Sequence, residues 1–302
     1  MLALVFSYVD IQELKDTILN IPISVIIIVV GIYVVGQFVS SLKWWLIASN
    51  SVKASYGAAL RAYFIGMYCN CFGLGTVGGD VARGLILSAR GKGVKTEALA
   101  SVIADRAHGL AVLSLIGILS VFALEHDRID FSFKIILFVG ALLIMFGWLI
   151  GPKIILALTP KHHRLRDKIE RTLLQFPKDP AKLTVITILS VIFHCIQIFA
   201  NGYMAHALGA NITWSKIFAS IPFVNIAGTL PISWQGLGVR ESSLMFFLGN
   251  EISSEQAIAM GALWFAAVTV SGAIGGILAF ISGDLGLVAK DKNQGTLSSE
   301  SL

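Results

Sequence analysis

Five uninterrupted apolar stretches, each long enough to cross a bilayer, restrict this chain to one kind of fold. A hydrocarbon core about 30 Å thick needs roughly 20 helical residues at 1.5 Å each. Residues 21–42, 99–124, 131–158, 183–208 and 255–283 all reach that length. Backbone N–H and C=O groups cannot stay unpaired in lipid, so segments of this kind must be helices. Of the 302 residues 56% are apolar and 14% charged, against about 25% charged in soluble domains, which excludes a soluble globule or a disordered chain. No polar stretch approaches the roughly 50 residues of a small soluble domain, so an appended soluble enzyme is not expected. The surplus of 23 Lys and Arg over 18 Asp and Glu is modest, and membrane topology explains it better than nucleic-acid binding does. Cys69, Cys71 and Cys195 form no Cys-x-x-Cys pair and read as small apolar fillers.

Two further apolar stretches, 54–90 and 213–249, are broken midway by Gly or Pro clusters and read as helical hairpins. Cationic residues set the orientation. Arg90, Lys92 and Lys95, and the run Lys161, Arg164, Arg166, Lys168, Arg171, Lys178 and Lys182, belong in the cytoplasm, whereas the acidic link at 125–130 suits the other side. Threading the chain through these marks puts the N-terminus outside and the C-terminus in the cytoplasm. The first hairpin then enters from the cytoplasm and the second from the exterior. The expected fold is an all-α integral membrane protein, a polytopic helical bundle with two opposed re-entrant hairpins in an inverted repeat. Its single membrane domain spans 1–302: a first repeat at 21–125, a connecting span at 131–158, a basic cytoplasmic loop at 159–182, a second repeat at 183–283 and a flexible tail at 284–302.

Chemistry concentrates at the hairpins. In the first, Gly78-Gly79-Asp80-Val81-Ala82-Arg83 follows other glycines, and a helix starting near Asp80 would aim free N–H groups at the hairpin tip, a place that attracts anions. Asp80 would cap that helix, and Arg83 would offer a planar fork to a phosphate or carboxylate. The plainer alternative is that the glycines allow close helix packing and Asp80 pairs with Arg83. Gly73-x-Gly75-x-x-Gly78 matches a dinucleotide fingerprint, but that motif has force only between a strand and a helix. In the second hairpin Pro231 is expected to stop the first limb, Gly236 and Gly238 to free the turn, and Arg240 and Glu241 to open the second limb. A charge at membrane depth costs about 2.5–3.5 kcal/mol on insertion scales, so these residues should face protein or water unless they snorkel to the interface.

Asp105, Arg106 and His108 lie a turn or two into the span that begins near 99, with Asp105 and His108 on one face. A proton relay and a buried salt bridge to a hairpin residue are both open. His194 reads as a packed, hydrogen-bonded histidine, and the six histidines share no metal-ligand spacing. Lys43-Trp44-Trp45 reads as an interfacial anchor closing the first span.

Three of these features, Lys43-Trp44-Trp45, Gly78-Gly79-Asp80-x-x-Arg83 and Gly236-Leu237-Gly238-Val239-Arg240-Glu241, resemble the transmembrane region of lysylphosphatidylglycerol synthases, a flippase-like family, over nearly the whole chain. The resemblance implies a lipid-translocating module. In the bifunctional synthases this region moves an aminoacylated phospholipid between leaflets, while a separate soluble domain performs the aminoacyl transfer. The expected function is therefore a flippase-like transporter of an anionic or aminoacylated phospholipid or a lipid-linked precursor, not an enzyme and without a cofactor. Gly78, Gly79, Asp80, Arg83, Asp105, Arg106, Gly236, Gly238, Arg240 and Glu241 are its candidate substrate-binding residues. Two alternatives stand beside it: a non-transporting scaffold for a glycosyltransferase or lipid synthase, and a membrane-embedded lipid-modifying enzyme. The expected partner is a membrane phospholipid or lipid-linked substrate, with a glycosyltransferase or lipid synthase as a further candidate and no nucleic acid, and the expected location is the plasma (inner) membrane, multi-pass.

Overall fold

Hydrophobic run length decides helix length throughout the chain. The computed structural model describes residues 11–72, 75–91, 94–124, 129–160, 166, 170, 179–230, 233–249 and 251–286. Among these, every regular element is helical. A short α1 (Ile11–Leu19) precedes the first long helix. The long helices α2 (Ile23–Ala48), α5 (Lys95–Ser120), α6 (Phe131–Leu158), α7 (Pro180–Ala207) and α10 (Ser254–Ser282) each contain a candidate membrane span. They coincide with the five apolar stretches of the sequence.

Between them lie two pairs of shorter helices, α3 (Tyr56–Phe72) with α4 (Gly75–Arg90), and α8 (Trp214–Gly228) with α9 (Val239–Leu248). At 17, 16, 15 and 10 residues, these limbs fall below the roughly 20 residues that a core about 30 Å thick requires. Within each pair the two helices pack against each other. The tip of the first pair at 73–74, Pro231 in the second, the acidic link at 125–128 and the tail from 287 lie outside the described residues, as does the basic stretch 161–178 apart from Arg166 and Glu170. The first limb of the second pair ends at Gly228, before Pro231 is reached.

The chain divides into two compact units, each assembled from three stretches. One comprises Phe38–Arg106, Ile154–Leu189 and Thr269–Leu302. Its core is small-grained: Ala59, Ala62, Ala82 and Ala98 sit among Trp44, Ile65, Ile86 and Leu87. Small side chains allow helix backbones to approach closely, the main source of packing energy in lipid. The approach is close where α3 and α4 cross. A Cβ on Gly79 would collide with the Gly66 carbonyl and the Asn70 side chain, and the Gly79 N–H donates to Asn70 Oδ1 at 2.9 Å. At the far end of α4, Arg90 Nε donates to Asp284 Oδ1 at 2.8 Å. Asp284 is buried, so the chain is still packed where the tail was expected to begin.

The other unit comprises Met1–Gln37, Ala107–Lys153 and Ser190–Val268. Larger aliphatics fill it, with Ile198, Met204, Ile217, Ile221, Val224, Leu244 and Met260 fully enclosed. A satellite cluster joins Val121, Leu124 and Ile129 to Phe223, whose ring stacks on Phe247 at 5.7 Å. The span window Phe131–Gly151 of α6 is only 6% buried, as expected of a helix facing lipid on most sides.

The α3–α4 crossing generates a test. Gly79→Ala should lower the thermal midpoint of the purified protein in detergent by the equivalent of about 1–3 kcal/mol, the usual cost of overpacking. Gly140→Ala, where nothing lies within 4 Å of the added methyl, should leave the midpoint unchanged or raise it. Equal midpoints for the two variants would contradict the close packing described above.

Candidate functional site

In the first unit, the charged residues of α2, α4 and α5 form one connected network. Asp105 on α5 is 5% exposed and receives two cations: Lys43 Nζ from α2 at 3.0 Å and Arg83 Nη2 from α4 at 3.2 Å. Arg83 Nε lies 3.2 Å from Asp80 Oδ1, one turn back on α4. Asp80 also accepts two hydrogen bonds from Arg106, Nε to Oδ2 at 2.9 Å and Nη2 to Oδ1 at 3.1 Å. Paired charges of this type cost far less to bury than isolated ones. Aromatic rings enclose the Arg83 guanidinium, with Trp44 at 4.8 Å and Tyr63 at 5.2 Å from its carbon, distances at which cation–π attraction operates. Those rings are themselves fixed, Trp44 Nε1 donating to Ser101 Oγ at 3.1 Å and Tyr63 Oη to Ser40 Oγ at 2.9 Å. Three cations face two carboxylates in this network. The surplus positive charge lies toward Arg106, whose side chain is 53% exposed.

Three sequence expectations need correction here. The second limb begins at Gly75, so Asp80 stands in the second turn of α4 and does not cap it. Gly78 and Gly79 are helical residues, and Gly79 serves close packing, the plainer of the two readings. Lys43-Trp44-Trp45 does not close its span at an interface, because α2 runs on to Ala48. Lys43 and Trp44 are buried, and Lys43 belongs to the charge network. Of the two readings left open for Asp105, the geometry matches the buried salt bridge to a hairpin residue.

The second unit handles its hairpin charge differently. Gln235, Gly236 and Gly238 have positive φ (55°, 79° and 81°), a conformation that glycine adopts without strain, so two of the three positions suit the turn. The turn delivers Val239 as the first residue of α9. Glu241, at the third position, reaches back so that Gly238 N–H donates to its Oε2 at 2.6 Å, half of a capping box. A Cβ on Gly261 would collide with the same carboxylate, so α10 carries glycine where Glu241 docks. Arg240, one residue earlier, is 6% exposed. Its Nη1 donates to Asn225 Oδ1 at 3.1 Å and its Nη2 to Asn201 Oδ1 at 2.8 Å. Asn225 in turn donates to Gln197 Oε1 at 3.3 Å, and Asn201 Nδ2 to the Gln197 carbonyl at 2.8 Å. The Trp264 ring lies 3.8 Å from the guanidinium carbon and is met edge-on by Tyr33 at 5.1 Å. No carboxylate lies within ion-pairing distance of Arg240 among the described residues.

Asp80, Arg83, Asp105 and Arg106 are thus gathered in one unit, and Gly236, Gly238, Arg240 and Glu241 in the other. Lys43, Trp44, Tyr63, Asn201, Asn225 and Trp264 complete these sites and were not among the sequence candidates. His108 stands elsewhere, edge-on to Trp148 at 5.2 Å, and the His194 ring meets the Gly109 carbonyl at 2.9 Å, as expected of a packed histidine. Among the described residues no group of three His, Cys, Asp or Glu side chains is placed to hold a metal.

Among known families, the model described as "Lysylphosphatidylglycerol synthase TM region" matches residues 1–276. No curated protein matches the chain.

The network around Asp105 predicts a steep penalty for its removal. Asp105→Asn leaves two buried cations without their shared partner and should destabilise the fold by about 3–5 kcal/mol, read as a fall in the thermal midpoint. Adding Lys43→Met to that variant should recover part of the loss, and failure to recover any would contradict the shared pairing.

Proposed function

The chain belongs to the lysylphosphatidylglycerol synthase transmembrane-region family, and from that premise we propose that it is a flippase-like transporter. Its substrate in this reading is an anionic or aminoacylated phospholipid, or a lipid-linked precursor, which crosses between leaflets. The supporting observation is that each short helix pair carries a buried arginine, Arg83 or Arg240, on a limb too short to span. A cation at membrane depth is costly and marks a substrate or ion path by default. In the proposed mechanism both hairpins are re-entrant, entering from opposite faces as an inverted repeat. Arg83, Arg106 and Arg240 supply the positive field for the headgroup, while the acyl chains remain in lipid. Asp80, Asp105 and Glu241 balance the charge. With no nucleotide-binding motif to drive it, transport runs downhill or is coupled to an ion gradient. The protein acts in the plasma (inner) membrane with its C-terminus in the cytoplasm, and it performs no chemistry on the lipid.

A second reading, a non-transporting scaffold for a glycosyltransferase or lipid synthase, draws on one observation. The charge of Arg83 is already met by Asp80 and Asp105, as in a structural salt bridge.

Reconstitution separates the two. In liposomes containing labelled phosphatidylglycerol, the purified protein should equilibrate the label between leaflets. An Arg83→Ala, Arg240→Ala double variant that remains monodisperse should lose at least about tenfold in rate. A wild-type protein that moves no labelled lipid, anionic or zwitterionic, would overturn the transport reading and leave the scaffold.

A further inference from the structure

The two hairpin arginines are not equivalent. Arg83 touches two carboxylates, whereas Arg240 touches two neutral amide oxygens and an indole face. A guanidinium has five N–H donors. The hydrogen bonds to Asn225 and Asn201 use one donor each on Nη1 and Nη2; of the remaining donors, the one on Nε is fully enclosed and has no acceptor. The adjacent acid, Glu241, is turned to the Gly238 N–H and the docking surface at Gly261. Arg240 is also the second residue of α9, at the positive end of that helix, where the backbone dipole repels a cation. Burial without a carboxylate, an unused Nε and the wrong end of a helix all raise the cost of the same charge. One feature would relieve all three: an anion beside the guanidinium, drawn also by the helix end.

We infer that Arg240, held by Asn201 and Asn225 against Trp264, is the contact point for a phosphate-class oxyanion, and that Arg83 is a positioning residue whose charge is spent within the protein. This rests on the transport reading and sharpens it, because it assigns headgroup contact to the second hairpin alone. Amide partners suit the role. They orient the guanidinium without neutralising it, and Arg240 keeps the Nε edge that makes two-pronged contact with an oxyanion.

Asn201→Asp tests the assignment by supplying a carboxylate in place of the amide oxygen now 2.8 Å from Nη2. Purified protein in a neutral maltoside detergent would be titrated calorimetrically with inorganic phosphate, with dihexanoylphosphatidylglycerol and with dihexanoylglycerol, which lacks phosphate. In the wild type, the phosphatidylglycerol should bind and the dihexanoylglycerol should bind at least about tenfold more weakly. Binding of inorganic phosphate alone would identify a free anion rather than a lipid headgroup as the ligand of the same site. Asn201→Asp should weaken wild-type anion binding at least about tenfold and raise the thermal midpoint without ligand, since the buried charge is then answered. Unchanged anion affinity in Asn201→Asp, equal binding of the two lipids by the wild type, or loss of folding in the variant would each overturn the inference. Anion binding that depends on Asn201 in a protein that moves no lipid would remove the transport reading and leave the site standing.

Discussion

A charge placed in a low-dielectric, apolar interior is costly unless it is answered, and the carboxylate of Asp105 does this for one unit of the protein. It accepts Lys43 from α2 and Arg83 from α4, and so ties three helices to one point. The surrounding rings, Trp44 and Tyr63, then have a fixed cation to pack on. Alanine-rich faces and the Gly66–Gly79 approach bring the helices close enough for the pairing to form. Packing and electrostatics are therefore not separate contributions here. The network requires backbone proximity, and proximity without the network would leave cations buried and unpaired.

Chain order repeats this plan with different chemistry. A long helix, a pair of short helices and a second long helix follow one another twice, first from α2 to α5 and then from α7 to α10. Lys43 and Asn201 lie near the ends of the first long helices, Arg83 and Arg240 on the second short limbs. Asp105 and Trp264 stand equally far into helices that begin at Lys95 and Ser254. Where the first set contains an ammonium and a carboxylate, the second contains an amide and an indole. In the first set Arg83 is paired with carboxylates, and the second holds a cation through groups that cannot neutralise it. That difference is the physical basis for giving the two arginines different tasks.

Much of the architecture was legible in the sequence because run length alone decides whether a helix can span, and because glycine clusters interrupt helices in recognisable ways. The arginines stood out for the same reason: charge is rare in such segments. Other parts left no local signal. Lys43 sits beside two tryptophans, a pattern typical of an interface, and only the continuation of α2 to Ala48 shows that it is interior. Asn201, Asn225 and Trp264 are single residues on three helices, and what unites them is a tertiary meeting at Arg240. The glycines before Asp80 suggested irregular backbone, yet packing against α3 holds them helical from Gly75 onward. Helix propensity was overridden there by tertiary contact, which a local reading of sequence does not contain.

The proposed mechanism requires each short helix pair to return to the membrane face it left, the two pairs doing so from opposite faces. Sidedness labelling in sealed vesicles tests this most directly, with single cysteines introduced in a cysteine-free background at four exposed positions: Lys53 and Lys95 flanking the first pair, Asn211 and Ser253 flanking the second. The account predicts that the cysteines at 53 and 95 react with an impermeant maleimide from the cytoplasmic side only, and those at 211 and 253 from the exterior only. Labelling of 53 and 95 from opposite sides, or of all four from the same side, would contradict it.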